Sequence, residues 1–250
     1  PSKIIAGFMI ATASISMWVS NTASTIMMLP IATSVIAIFA QQTNTKESDL
    51  TVPLLLAIAY SASIGGIATL IGTPTNVMLA SILSDNYNYD ISFFDWFKVG
   101  FPTTLILIPI IWFFLTHIIF KIPNRESDAL RKVLGNLKEE IGKSTHAEKI
   151  VTAVFIITAS LWMFRRLINN SFELNINDTS IGLFGALLLF IIPIKKNQRA
   201  CSWETASKIP WGVLLLVGGG IALSKAFNIT GLANWIGSFS VFFDGYNIFL

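Results

Sequence analysis

The chain has 250 residues, of which 53% are apolar and 12% charged, with a formal net charge of +3 at pH 7 and a mean hydropathy of +0.67. That balance excludes an ordinary soluble domain of this length and predicts an all-α polytopic membrane protein. The small, scattered charge offers no basic stripe to nucleic acid, and one cysteine, Cys201, with two distant histidines, His117 and His146, supports neither a disulfide nor a metal cluster.

In chain order, two mostly apolar arms, Lys3 to Ile15 and Ile26 to Ala40, flank a polar knot, Ser16-Met17-Trp18-Val19-Ser20-Asn21-Thr22-Ala23-Ser24-Thr25. An arm of roughly 16 residues, at about 1.5 Å per residue, falls short of the roughly 30 Å hydrocarbon core. The pattern predicts a re-entrant helical hairpin over 3–40, open to one face of the membrane. Irregular backbone with hydroxyl and amide side chains would form its tip, a form tolerated only inside protein or beside water. The alternative is one continuous helix with a Ser/Thr patch on its packing face.

A polar loop, Gln41 to Asp49, leads to a span at 51–83, with Pro53 suited to a helix start. It is predicted to break over Gly65 to Asn76, where Gly65, Gly66 and Gly72 allow close backbone approach and Pro74 removes an amide and disfavours helix at Thr73. A kinked helix packed through its glycines is the alternative. No Lys-Ser/Thr follows the glycines, so a phosphate loop is a weak reading.

After a loop at Ser84 to Asp95 comes a span at 97–120, with Pro102 and Pro109 expected to bend it, and Trp96 and Trp112 either marking interfaces or packed in the bundle. The charged stretch 121–149 reads as a cytoplasmic linker between an N-terminal repeat portion, 1–120, and the start of a C-terminal one, 150–250. Further spans are expected at 150–166, where Arg165 and Arg166 snorkel outward, at 180–194, and at 211–227, where Gly218-Gly219-Gly220 signals a second break. From Gly231 a second hairpin arm begins. Pro1 and the apolar end at Leu250 suggest a piece of a longer protein.

The basic loops 121–149 and 195–208 are placed inside, which puts the loops at 84–95 and 169–178 outside and opens the hairpin to the cytoplasm. No Asp or Glu falls within a predicted span interior, whereas proton-coupled carriers usually need a titratable group there. Neutral oxygens take that place: hydroxyls of Ser16, Ser20, Thr22 and Thr73, amides of Asn21 and Asn76, and freed carbonyls near Gly72. Such oxygens suit a hard monovalent cation, sodium. Broken-helix N-termini near Ala23 and Asn76 would present amides and a positive dipole end to an anion beside it.

Three stretches carry a family resemblance: Ser20-Asn21-Thr22 within Met17 to Pro30; Ala62-Ser63-Ile64-Gly65-Gly66 leading to Gly72-Thr73-Pro74-Thr75-Asn76; and Trp211-Gly212 through Gly218-Gly219-Gly220. In this order they resemble the divalent anion/sodium symporter family, carriers of citrate, succinate and related dicarboxylates, over nearly the whole chain. The resemblance implies an inverted-repeat secondary transporter with re-entrant hairpins, in a cell membrane, with a homodimer as its assembly and no organic cofactor. It implies sodium ligands at Ser16, Ser20, Asn21 and Gly72, and substrate contacts at Asn21 and Thr22. Thr73 and Asn76 join the substrate-binding set as hydroxyl and amide at the second broken helix. Two departures stand out: the family's second Ser-Asn-Thr hairpin and second unwound helix are absent up to Leu250, and Thr75 takes the place where many relatives carry Pro or Gly.

The implied activity is sodium-coupled symport of dicarboxylates by alternating access. A sulfate or arsenite carrier of related architecture is the alternative within transport, and a channel-forming or structural subunit the alternative outside it. An intramembrane hydrolase is disfavoured, since Ser20 has no His or Lys near it in sequence.

Overall fold

A computed structural model of the chain describes residues 2–43, 48–120, 144–195, 198–209 and 211–239. Much of the predicted loop at 41–49, most of the linker at 121–149, Lys196 and the end of the second hairpin arm lie outside these residues. Among the described residues the protein is all-α apart from one short antiparallel pair, β1 (Pro193–Lys195) with β2 (Gln198–Arg199). It forms two compact units, Pro1–Cys201 and Ser202–Leu250. Among the described residues four helices are long and apolar enough to cross a membrane, which makes this a multi-pass membrane protein.

The first two helices, α1 (Ser2–Ser16) and α2 (Asn21–Thr43), are joined by the turn 17–20. Ile5, Phe8 and Met9 of α1 share one buried cluster with Met28, Ala32, Val35 and Ile36 of α2 and with Leu50, Leu54, Ala57 and Ile58 of α3 (Ser48–Ile67). In a continuous helix Ile5 and Val35 would stand about 45 Å apart. The chain therefore folds back as a hairpin, and the single long helix is excluded. The irregular backbone is narrower than the knot: Asn21 to Thr25 already form the first turns of α2, where Thr25 Oγ1 donates to the Asn21 carbonyl at 2.8 Å. The second arm also runs past residue 40, with Gln41 and Gln42 following the apolar run that ends at Ala40.

Helix α3 begins before Pro53, which sits in its second turn rather than at its start and removes one backbone bond there. Its break is confined to 68–73, and α4 (Pro74–Tyr87) follows with Thr73 extended at φ −145° and Pro74 in the first turn. Gly65 and Gly66, expected in the break, stay helical. α4 extends through Ser84, Asp85 and Asn86 and stops at Asn88 in the left-handed region (φ 51°), so the predicted loop is shorter at both ends.

A capping box opens α5 (Phe93–Phe113): Ser92 Oγ accepts from the Asp95 amide, and the Asp95 carboxylate accepts from the Ser92 amide. The helix starts ahead of the predicted Phe97 for this reason. It is continuous through Pro102 and Pro109 and ends in a wider, π-helical stretch, Phe114–Ile119. Helix α6 (His146–Phe172) is longer than its predicted span at both ends. The Thr145–Glu148 box opens it, and it passes through Arg165 and Arg166 without stopping. Asn177 caps α7 (Asp178–Ile191), which at about 21 Å is shorter than the hydrocarbon core.

The second unit holds α8 (Trp203–Ala206), α9 (Trp211–Ile229) and α10 (Leu232–Ser238). The predicted break at Gly218-Gly219-Gly220 does not occur, and α9 runs straight through the triplet. A glycine costs a helix only about 1 kcal/mol against alanine, less than the several kcal/mol lost for each unpaired backbone group in lipid. Gly231 (φ 71°) separates α9 from α10 at the predicted position.

Candidate functional site

When α3 stops at Ile67, its last four carbonyls lose their intrahelical partners. Every one of them has a donor. The Ile64 carbonyl accepts from Thr104 Oγ1 (2.9 Å), that of Gly65 from the Ala68 amide (3.0 Å), that of Gly66 from Asn76 Nδ2 (2.9 Å), and that of Ile67 from Trp96 Nε1 (2.8 Å). Asn76 Nδ2 also donates to the Thr69 carbonyl at 2.9 Å, so both protons of this buried amide staple the break. The break is thus built into the fold by residues of α4 and α5 rather than left open.

The hairpin tip sits against this break. Thr69 Oγ1 donates to the Met17 carbonyl. Ser16 Oγ, fully buried, lies 2.7 Å from the Ala62 carbonyl and 2.9 Å from Asn21 Oδ1. A hydroxyl has one proton for these two acceptors, so the trio holds more lone pairs than protons. Glycines make the approach possible: a Cβ on Gly65 would strike the Ala13 carbonyl, and one on Gly66 would strike Asn21 Oδ1. A Cβ on Gly72 would lie 2.5 Å from the Gly66 carbonyl oxygen. That explains buried Gly72 as a packing requirement.

Of the residues singled out in the sequence, Ser16 and Asn21 meet directly, and Gly72 and Asn76 both close on Gly66. Ser20 is exposed and caps α2, its Oγ accepting from the Ala23 amide at 3.4 Å. Thr22 is exposed in the first turn of α2. Thr73 is half-buried, with its hydroxyl 3.3 Å from that of Thr75. Two helix N-termini, of α2 at Asn21 and α4 at Pro74, therefore start beside one glycine, Gly66. Sequence reasoning missed Thr69, the Ala62 carbonyl, and the roles of Trp96 and Thr104. Ala62 and Gly66 fall in a run of small residues that signals close packing, whereas Trp96 and Thr104 carry no local signal of their distant partners.

The citrate transporter family profile matches residues 1–248. The chain belongs to the citrate transporter family. Its relatives include the sodium-dependent dicarboxylate transporter SdcS of Staphylococcus aureus: 39% identity over 246 residues in strain USA300, covering 94% of this chain and 47% of that protein, and 38% with the same coverage in strains NCTC 8325 and COL. The chain spans about half the length of these curated relatives. Membership agrees with the kinship read from the hairpin tip, the broken helix and the glycine triplet. It places the chain in a family of transporters.

Proposed function

We propose that this chain forms the first part of a sodium-coupled dicarboxylate symporter that works by alternating access in a cell membrane. The observation that carries the reading is the meeting of a polar hairpin tip with a stapled helix break, which sets surplus oxygen lone pairs beside two helix N-termini. Surplus lone pairs favour a cation, and N-terminal amides and dipoles favour an anion. A sodium ion and a carboxylate placed side by side each lower the cost of desolvating the other, which couples their movement.

In this reading Ser16, Ser20, Asn21 and the Gly72 carbonyl hold sodium. Asn21, Thr22 and Thr73 receive a substrate carboxylate, and Asn76 takes part by shaping the loop that carries Gly72 and Thr73. The names of the relatives, sodium-dependent dicarboxylate transporters, favour a dicarboxylate over sulfate or arsenite. A second, inverted half of the site and a homodimeric assembly belong to the same proposal. The test is uptake by the full-length protein in proteoliposomes. Saturable succinate accumulation that needs a sodium gradient and is competed by other dicarboxylates is expected. Sulfate or arsenite uptake untouched by succinate, or a non-saturating current, would refute it.

A further inference from the structure

The end of α6 and the start of α7 border two hollows with contrasting walls. One, of about 380 Å³, is an apolar groove lined by Leu161 and Ile168 of α6, Ile176 of the connecting loop, and Ile181 and Phe184 of α7. The other, of about 470 Å³, is polar: Arg166, Asn170, Asn175 and Asn177 line it, with Asp90 as the one acid in the lining. Arg165, Asn169 and Ile176 line both, so the two hollows share an edge. Each volume lies within the range of about 300 to 1,000 Å³ usual for small-molecule sites.

The chain builds this shape locally. A Cβ on Gly185 would strike Thr158 Oγ1, so α6 and α7 are in close contact below the groove. Glu173, in the left-handed region (φ 51°), ends α6, and Asn169 ties the following loop back onto the helix. Its Nδ2 donates to the Ile176 carbonyl at 2.9 Å, and its Oδ1 accepts from the Ile176 amide at 3.2 Å. Ile176 is thereby fixed in the wall of both hollows.

Arg165 stands where the apolar wall gives way to the polar one, its side chain 19% exposed. Asp178 Oδ1 lies 3.2 Å from Arg165 Nε, yet neither of these buried atoms makes a hydrogen bond. A guanidinium carries more donors than one carboxylate can use, and its fork matches the oxygens of a phosphate. Asp95 holds Arg166 at 2.6 and 2.9 Å. Neither Asp95 nor Asp178 belongs to the polar lining, which leaves two arginines there against one acid. A groove alone would suit any hydrocarbon and a basic cleft alone any small anion; joined at one arginine, they suit a molecule that has both parts. The bilayer supplies such a molecule, because α6 is one of the helices long and apolar enough to cross it. We propose that this end of the α6–α7 pair binds an anionic phospholipid. Its phosphate takes Arg165 and Arg166, the amides of Asn170 and Asn175 meet the rest of the head group, and one acyl chain lies along the groove toward Phe184. The site needs only the membrane location and stands apart from the transport reading.

The test uses the purified full-length protein. Native mass spectrometry counts the dioleoyl-phosphatidylglycerol and dioleoyl-phosphatidylcholine that it retains, two lipids with the same chains and different head charge. Retention of phosphatidylglycerol several-fold above phosphatidylcholine is expected. Asn170→Asp combined with Asn175→Asp puts two negative charges at exposed positions of the cleft and should lower that retention about fivefold or more; Arg165 is left in place because it is the ion partner of Asp178. Ile168→Trp, which narrows the groove, should lower it as well. A photoactivatable acyl chain should tag residues within 161–184, and glycerol phosphate, the head without the chains, should not displace the lipid. Equal retention of the two lipids, a preference unchanged in both variants, or tagging confined to other segments would overturn the site. Displacement by glycerol phosphate would show a cleft for a free anion and overturn the phospholipid as its occupant.

Discussion

A carboxamide offers one acceptor oxygen and two donor protons, and the asparagines at the break use opposite ends of it: Asn21 turns Oδ1 toward Ser16 Oγ, while Asn76 gives both protons to backbone carbonyls. Asn76→Asp keeps the shape and removes the donors. Two buried carbonyls then lack partners, and a loss of about 2 kcal/mol or more is expected, read as a lower melting temperature of the purified protein; an unchanged melting temperature would mean that water replaces the amide. Thr22 offers a different kind of test, because it is exposed and makes no contact that holds the fold together. Thr22→Val should weaken dicarboxylate binding about tenfold and leave sodium binding, measured without substrate, nearly unchanged. Equal loss of both ligands would remove Thr22 from the substrate role. The polar knot was legible because hydroxyls and amides are costly between two apolar arms. Asn76 was legible as important but not as a staple, because its partners exist only once the exact end of α3 is known.

Glycine-rich stretches in two helices look alike in sequence and behave oppositely. Around Gly65, Gly66 and Gly72 other backbone and the Asn21 side chain crowd in, whereas nothing lies within 4 Å of a Cβ built on Gly218, Gly219 or Gly220. Gly72→Ala must push the Gly66 carbonyl aside and should cost about 1 to 3 kcal/mol together with sodium-dependent uptake. Gly219→Ala, inside a continuous helix, should leave the melting temperature equal or raised, by up to about 1 kcal/mol of stability. The reverse ranking would mean that the triplet, not the α3–α4 loop, is the strained element. A local window records the freedom of a glycine but not what approaches it, which is why a break was foreseen at both places and found at one. The same limit shortened α5 and α6 in the sequence reading: their true starts depend on the Ser92–Asp95 and Thr145–Glu148 boxes, and Arg165 and Arg166 continue α6 because Asp178 and Asp95 meet them.

At the scale of the molecule, the loop before α5 and the loop before α7 share one end of the first unit, joined by Phe93–Asp178 and Arg166–Asp95, while Trp112 Nε1 donates to the Ser2 carbonyl at the other end. Cysteines placed at Tyr89 and Asn175 should therefore be labelled from one side of the membrane and a cysteine at Lys195 from the opposite side; labelling of all three from one side would overturn this arrangement. The partners of the α3 carbonyls also constrain synthesis. Two of the four donors, Trp96 and Thr104, belong to α5 and leave the ribosome about 30 to 40 residues after the carbonyls they serve. Until α5 enters the bilayer, the Ile64 and Ile67 carbonyls must borrow water or translocon partners. The nascent hairpin and α3 thus cannot settle to their final depth one helix at a time; they wait for α5, and the region matures as a single insertion unit.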